Sequence, residues 1–187
     1  TDAVRVYADI NNEVFLPGDY SNVDLIVGND GQTFADPVAV GALTLDGDLT
    51  DWEGTAPLFI AEDGSSIQGQ ISEDSAVFAL TSPVPIGAAT TIWLDTDLDR
   101  STGHQIWGFA GGADYNIEIA ADGTAALYTG AAGDVFIADL EIRYNDDATV
   151  AEVAVPLAAA GITDAVRVYA DINNEVFLPG DYSNVDL

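Results

Sequence analysis

One stretch of this sequence occurs twice, and no other feature constrains the fold as strongly. Residues Thr1–Leu25 and Thr163–Leu187 are identical at all 25 positions, at an offset of 162 residues. A long internal repeat is the signature of a repeat architecture. Because the period is the size of a whole domain, the duplication indicates beads on a string rather than a solenoid of short stacked motifs. We expect the sequence to be one period plus 25 residues of a tandem array.

The repeat divides the chain into three parts. Residues 26–38, IVGNDGQTFADPV, are rich in turn-forming residues and are predicted to be a linker. Residues 1–25 are then the C-terminal strands of a preceding repeat, and residues 39–187 form one complete repeat. Two other arrangements stay open: residues 1–25 could complete a neighbour's sheet by strand addition, or both copies could sit in one sandwich.

The pattern of apolar residues is that of β-structure throughout. Val4, Val6 and Ala8 alternate with polar or larger residues, as in a strand buried on one face. Short runs rich in Val, Ile, Thr and aromatics, bounded by Gly, Asp, Asn or Pro, predict further strands. These runs are 40–45, 57–61, 66–72, 75–81, 90–95, 105–109, 114–120, 124–129, 134–144, 148–155 and 164–170. Only residues 156–161, PLAAAG, suggest a helical turn or two. We therefore predict an all-β fold, a two-sheet antiparallel sandwich of jelly-roll type.

The charge excludes several classes of partner. The chain has 32 acidic residues, four arginines and no lysine, which gives a net charge of −28. Such a chain repels nucleic acid and anionic membranes. It also has no apolar run near the roughly 20 residues that cross a bilayer, so we expect no membrane insertion. Its self-repulsion favours a calcium-rich extracellular medium or high salt, although acidity can also serve solubility alone.

Two acidic motifs are candidate metal sites. In LDGDLTDW (45–52), Asp46 and Asp48 flank a glycine turn before Trp52. This motif is either a calcium corner or a simple turn that leads into a core tryptophan. In LDTDLDRSTG (94–103), Asp95, Asp97 and Asp99 stand at alternate positions. Three carboxylates at this spacing can converge on one calcium ion, as in the first half of an EF-hand loop, or form a solvated loop.

A third motif, GGADY (111–115), places Asp114 after two glycines. Asp114 either closes a cation site with the Asp95 loop or caps a loop by accepting backbone N–H bonds. There is no cysteine, and the single histidine, His104, is not near a nucleophile-elbow motif. We predict that the protein is not an enzyme.

Together these motifs resemble those of carbohydrate-binding family 9-like modules. The matching stretches are LDGDLTDW (45–52), LDTDLDRSTG (94–103), GADY (112–115) and the late strand VAEVAVPLAAAG (150–161). The resemblance covers about residues 39–187 and implies a jelly-roll sandwich with bound calcium. It also implies glycan binding, which requires exposed aromatic faces. Trp52 and Trp93 fit core positions, so Trp107 is the candidate ligand-binding residue.

Two functions follow from the sequence. The first is a structural repeat of a secreted, calcium-stabilised filament, matrix or adhesin protein, whose partners are neighbouring copies of the same repeat. The second is a carbohydrate-binding module that recognises glycans through an exposed aromatic face. The duplicated segment favours the first, because it indicates that one repeat follows another.

Overall fold

A computed structural model describes residues 37–105, 112–163, 165–180 and 185–187, together with four short strands within residues 1–25. The fold is all-β, as predicted, and every strand pairing in the described residues is antiparallel. A short 3₁₀ helix spans Leu49–Trp52. Within these described ranges, no helix is long and apolar enough to cross a membrane.

The strands are numbered in chain order. Residues 1–25 contain β1 (Val4–Val6), β2 (Ala8–Ile10), β3 (Val14–Leu16) and β4 (Val23–Leu25). The next strands are β5 (Val38–Val40), β6 (Leu43–Leu45), β7 (Phe59–Ile60), β8 (Ser66–Ile71), β9 (Ser75–Thr81), β10 (Thr90–Asp95) and β11 (Tyr115–Ile119). The last are β12 (Ala125–Thr129), β13 (Val135–Tyr144), β14 (Val150–Pro156), β15 (Arg167–Ile172), β16 (Val176–Leu178) and β17 (Val185–Asp186).

Most of these strands belong to one long sheet. Its order is β16-β15-β10-β11-β12-β13-β14-β9-β8-β7, and β17 also pairs with β15. The ten-residue strand β13 joins the two halves, because its first part pairs with β12 and its last part pairs with β14. Strands β5 and β6 form a separate hairpin.

The main hydrophobic core takes side chains from both halves of this sheet. Phe78 and Val153 come from one half, while Leu94, Leu127 and Val168 come from the other, and all five are buried in the same cluster. The sheet therefore folds around its own inner face, which removes apolar surface from water on both halves at once.

Several predicted strands lie where expected, and two segments differ from the prediction in detail. Residues 40–45 form a hairpin rather than one strand, because the chain turns at Gly41, whose φ is +61°. Residues 157–161 form one hydrogen-bonded turn, in which Ala160 N donates to Pro156 O, and it ends at Gly161 with φ +65°. The predicted strand 105–109 lies almost wholly outside the described residues.

The two identical segments pair internally in the same register. In the first, Arg5 is opposite Asp24 and Asp9 is opposite Phe15. In the second, the corresponding residues Arg167 and Asp186, and Asp171 and Phe177, face each other in the same way. The second segment also pairs with β10, from Thr91–Asp171 to Asp95–Arg167.

The second segment is an integral part of the core. Val166, Val168, Ala170, Ile172 and Leu178 are each at most 1% exposed. Its last residue, Leu187, lies against β8, where a Cβ added to Gly69 would come within 2.8 Å of Leu187 Cδ2. Through β15 and Leu187, the second segment therefore contacts both ends of the long sheet.

Candidate metal site

Three aspartates meet at the end of β10. Asp95 is the last residue of that strand, Asp97 lies in the loop that follows, and Asp114 directly precedes β11. Carboxylate oxygens of these three residues all lie within 4.8 Å of one another. Asp95 is buried, Asp114 is half-buried and Asp97 is exposed. Oxygen atoms converging at this separation can hold a metal ion, and hard cations such as Ca²⁺ and Mg²⁺ prefer such ligands.

Asp95 gives the site its electrostatic character. Its side chain is fully buried, and neither of its carboxylate oxygens accepts a hydrogen bond. Its nearest cation is the guanidinium of Arg167 on the adjacent strand, with Nη1 3.6 Å from Oδ2. The pKa of Asp95 is raised to about 6, mainly by burial; Arg167 opposes the shift, and the nearby carboxylates of Asp97 and Asp114 contribute to it. A buried carboxylate without hydrogen bonds is unfavourable unless a cation compensates it.

Asp114 caps the loop, and its position is compatible with the cation-site role that the sequence also left open. Its Oδ2 accepts hydrogen bonds from the backbone N–H groups of Thr96 (2.9 Å) and Asp97 (3.1 Å), and from Thr96 Oγ1 (3.1 Å). The same carboxylate belongs to the triad. Asp114 therefore fixes the backbone of the Asp95–Asp97 turn and also adds a ligand to the candidate site.

Asp99 lies in the same loop but is not part of the triad. Its Oδ1 accepts from Ser101 N (2.9 Å) and Ser101 Oγ (2.6 Å), and these two bonds lower the pKa of Asp99. Asp97 is held in turn by Asp99 N, which donates to Oδ1, and by Thr102 Oγ1, which donates to Oδ2. Asp99 thus stabilises the turn of the loop, whereas the Asp97 carboxylate belongs to the candidate site.

Two glycines allow the loop to approach the start of β11. Gly103 and Gly112 both have φ +62°. A Cβ at Gly103 would lie 2.5 Å from Ala113 O, and one at Gly112 would lie 2.5 Å from Arg100 Cα. Both positions therefore need glycine for its small size as well as its conformation. This close approach, with the bridge between His104 and Ala113, brings Asp114 beside the Asp95 loop.

A cavity of about 540 Å³ opens beside the triad. Asp97 and Asp114 line it, with Thr96, Tyr115 and Thr129 among its polar neighbours. Calcium takes six to eight oxygen ligands, and three monodentate carboxylates supply only three of them. The cavity can hold the water molecules that would complete the coordination shell.

Asp46 and Asp48 lie elsewhere and serve their own loop. Asp46 Oδ1 accepts from Asp48 N, and Asp48 Oδ1 accepts from Thr50 N and Oγ1 at the start of the 3₁₀ helix. In the described ranges, neither residue belongs to a group of three acidic side chains close enough to share one ion. In the described residues, the predicted metal site at Asp46 and Asp48 therefore lacks a third acidic side chain of the kind that Asp114 provides at the Asp95 loop.

The acidic residue that organises this motif is Glu152 on β14, which the sequence did not single out. It is fully buried. Its Oε2 accepts from Asp46 N (3.0 Å) and Gly47 N (2.7 Å), and its Oε1 accepts from Trp52 Nε1 (2.7 Å). Burial raises the pKa of Glu152, while these three bonds oppose the shift. Trp52 is buried beside it, which confirms the predicted core position.

The remaining aromatic candidates are less completely described. Trp107 lies outside the described residues. Trp93 is half-buried on the outer face of the sheet, where its ring stacks on His104 with centroids 5.3 Å apart. Trp93 Nε1 donates to Asp171 Oδ2 at 3.0 Å, so the face of β10 and β15 that points away from the core contains a second buried carboxylate.

Asp171→Asn is expected to stabilise the protein near pH 8, by on the order of 2 kcal/mol. The pKa of Asp171 is raised to about 6, mainly by burial; the hydrogen bond from Trp93 opposes the shift, and nearby Glu118 contributes to it. Because the folded pKa lies above the unfolded value of about 3.9, the unsubstituted protein is most stable below about pH 4 and loses stability as the pH rises through 6, and Asp171→Asn avoids this loss. Asparagine stays neutral and can still accept from Trp93 Nε1.

Urea unfolding of both proteins at pH 4 and pH 8 measures this effect. The free energy of unfolding of Asp171→Asn should exceed that of the unsubstituted protein by a large amount at pH 8, and the two values should agree near pH 4. Asp147→Asn, at an exposed position, controls for the loss of one negative charge and should change little. If the two free energies of unfolding differed equally at both pH values, the charge of Asp171 would not be what destabilises the folded protein.

Comparison of the chain with known protein families, with curated proteins and with solved structures gave no match.

Proposed function

We propose that this chain is a structural repeat of a secreted, calcium-stabilised filament, matrix or adhesin protein. The observation that carries the proposal is the duplicated segment, which recurs at an offset of 162 residues and pairs internally in the same register in both places. In this proposal the repeat is a two-sheet sandwich of jelly-roll type, in which each copy of the segment belongs to one repeat.

The Asp triad and the net charge support the calcium component of the proposal. A chain of net charge −28 needs counter-ions to pack against its neighbours. A divalent ion at Asp95, Asp97 and Asp114 neutralises charge at the end of β10, beside the segment that closes the sheet. Calcium fits this set better than a transition metal, because all three ligands are carboxylates and the cavity leaves room for water.

A longer protein tests the repeat function. Residues 26–187 are appended once and then twice to the chain, and small-angle X-ray scattering in calcium measures the maximum dimension. We expect this dimension to grow by the same increment with each added period. The proposal would be contradicted if the maximum dimension did not grow by a constant increment, or if the added periods did not unfold cooperatively.

Glycan binding is the second candidate function, and one observation favours it. Tyr128 and Phe136 form an edge-to-face pair on the sheet, with centroids 5.9 Å apart, and Phe136 is 55% exposed. If the unsubstituted protein binds a polysaccharide, Phe136→Ala and Trp107→Ala should each weaken that binding. Ile60→Ala is the control, because Ile60 is 59% exposed on a different strand. If all three variants bound the polysaccharide equally well, the aromatic face would not be the glycan-binding site.

A further inference from the structure

We propose that the cavity beside the Asp triad binds a neutral sugar, and that two adjacent hydroxyl groups of this sugar coordinate the metal ion. The sugar site rests on the proposed calcium ion at Asp95, Asp97 and Asp114, and it deepens the second candidate function, glycan binding. It uses a different set of residues from the aromatic pair Tyr128 and Phe136. The ion and neutral oxygen atoms of the protein bind the hydroxyl groups of the sugar, in place of an aromatic face.

The ion that the triad can hold borders the cavity. Both carboxylate oxygens of Asp95 are buried and accept no hydrogen bond, and one of them lies within 4.8 Å of carboxylate oxygens of Asp97 and Asp114. Asp97 and Asp114 also line the cavity. Calcium takes six to eight oxygen ligands, so three monodentate carboxylates leave roughly three to five positions open. The cavity is the space from which further oxygen atoms can reach them.

The cavity is larger than the coordination shell of one ion requires. Its volume is about 540 Å³. One water molecule occupies about 30 Å³ in the liquid, so five coordinating waters would fill roughly 150 Å³. Small-molecule sites in proteins have volumes of about 300–1,000 Å³. A ligand of the size of a monosaccharide therefore fits beside the ion.

The walls of the cavity carry neutral hydrogen-bonding groups. The hydroxyl of Thr96 donates to Asp114 Oδ2 at 3.1 Å, and that of Thr129 donates to Asp114 O at 2.7 Å. Each of these hydroxyls keeps an acceptor site for an O–H group of a ligand. Tyr115 and Gly161 lie on the same wall, and a Cβ at Gly161 would come within 3.2 Å of the Tyr115 hydroxyl. Glycine therefore avoids crowding this third hydroxyl.

The charge of the loaded site favours a neutral ligand over an anionic one. Among the described residues that line the cavity, only Asp97 and Asp114 are charged, so no basic side chain attracts a phosphate, sulfate or carboxylate group. The three carboxylates of the triad are balanced by a divalent ion together with the guanidinium of Arg167, whose Nη1 lies 3.6 Å from Asp95 Oδ2. The net charge of −28 repels a further anion. Sugar hydroxyls can replace water on calcium, which accepts uncharged oxygen ligands, without adding charge.

Saturation-transfer NMR with simple sugars tests the sugar site. The probes are the methyl glycosides of glucose, galactose, mannose and fucose, which differ in the orientation of their adjacent hydroxyl groups. Each probe is mixed with the full chain in calcium and then in chelator, at fixed ionic strength. Calorimetric titration with calcium alone measures binding of the ion separately. We expect at least one glycoside to give a signal in calcium that disappears in chelator.

Two neighbouring alanines provide a matched pair of variants. Ala131 lines the cavity, whereas Ala132 is exposed in the same turn but is not among the described residues that line it. Ala131→Leu places a larger side chain at the cavity wall, so it should weaken glycoside binding roughly tenfold or more and leave calcium binding unchanged. Ala132→Leu should change neither. Asp97→Asn should weaken the binding of calcium and of the glycoside together.

The outcomes separate the sugar site from the proposed metal site. If calcium binds but no glycoside gives a calcium-dependent signal, the sugar site is wrong and the metal site stands. Glycoside binding that persists in chelator, or that a folded Ala131→Leu variant retains in full, would place the sugar elsewhere and also overturn the inference. If calcium itself does not bind, both proposals fail. Circular dichroism shows whether each variant is folded, and the comparison of calcium with chelator needs no variant at all.

Discussion

Glu152→Ala is expected to destabilise the protein by about 3–4 kcal/mol, a large part of the stability of a typical domain. The substitution leaves three donors without their acceptor: Trp52 Nε1 and the backbone N–H groups of Asp46 and Gly47. An orphaned buried donor costs about 1–3 kcal/mol, and water that enters the vacated space reduces the sum. Urea unfolding of the full chain measures the change in the free energy of unfolding.

Glu141→Ala is the matched control, since it removes a glutamate from the neighbouring strand β13. The Glu141 side chain is 61% exposed and forms an ion pair with Arg143 at 3.1 Å. Although the Arg143 side chain is only 12% exposed, solvent reaches Glu141 and screens the pair, so this variant should be destabilised by only about 1 kcal/mol. If both variants had similar stabilities, Glu152 would not be the residue that holds the Asp46 loop.

The role of Glu152 shows what a local pattern can and cannot predict. The motif at residues 45–52 correctly indicated a turn that leads into a buried Trp52, because turn formers and apolar residues are local signals. The acceptor of that turn is 100 residues later than Trp52 in the sequence. Within β14 its neighbours are apolar, and nothing in the spacing distinguishes a buried, hydrogen-bonded glutamate from one of the many exposed acids.

The candidate metal site was predicted in the same way, from local spacing. Alternate aspartates indicated a convergent loop, and Asp95 and Asp97 do meet. Asp99 instead accepts hydrogen bonds from Ser101, because a short polar side chain readily bonds to the backbone two residues ahead. Asp114 joins the triad because Gly103 and Gly112 permit a close contact between two backbone segments, and sequence spacing does not reveal such a contact.

Strand pairing at long range was the other feature that the sequence did not provide. The alternation of apolar residues predicted most of the main strands, since period-two patterns report burial on one face. It did not indicate that β15 would pair with β10 and place Arg167 beside Asp95. That pairing connects the duplicated segment to the candidate metal site, so closure of the sheet and charge compensation of the triad occur at the same edge.

Calcium is expected to stabilise the protein by about 2.7 kcal/mol when its concentration is about 100 times the dissociation constant. Extracellular calcium modules have dissociation constants of roughly 10⁻⁴–10⁻³ M. The physical reason is Asp95, a buried carboxylate whose oxygens accept no hydrogen bond and which lies beside two further carboxylates. A bound cation compensates this charge in the folded state only. Chelator should therefore lower the melting temperature by roughly 5–10 °C at fixed ionic strength.

Asp97→Asn should remove most of this difference, because it replaces one charged ligand of the triad while its remaining oxygen can still accept a hydrogen bond from the loop. Asp147→Asn is the control, since it removes the same charge from an exposed turn and should leave the full effect of calcium. Magnesium at the same concentration should stabilise less, because it requires a stricter octahedral geometry and retains its water more strongly. Melting curves that are identical with calcium and with chelator would reject the site, and equal effects of the two substitutions would place the ion elsewhere.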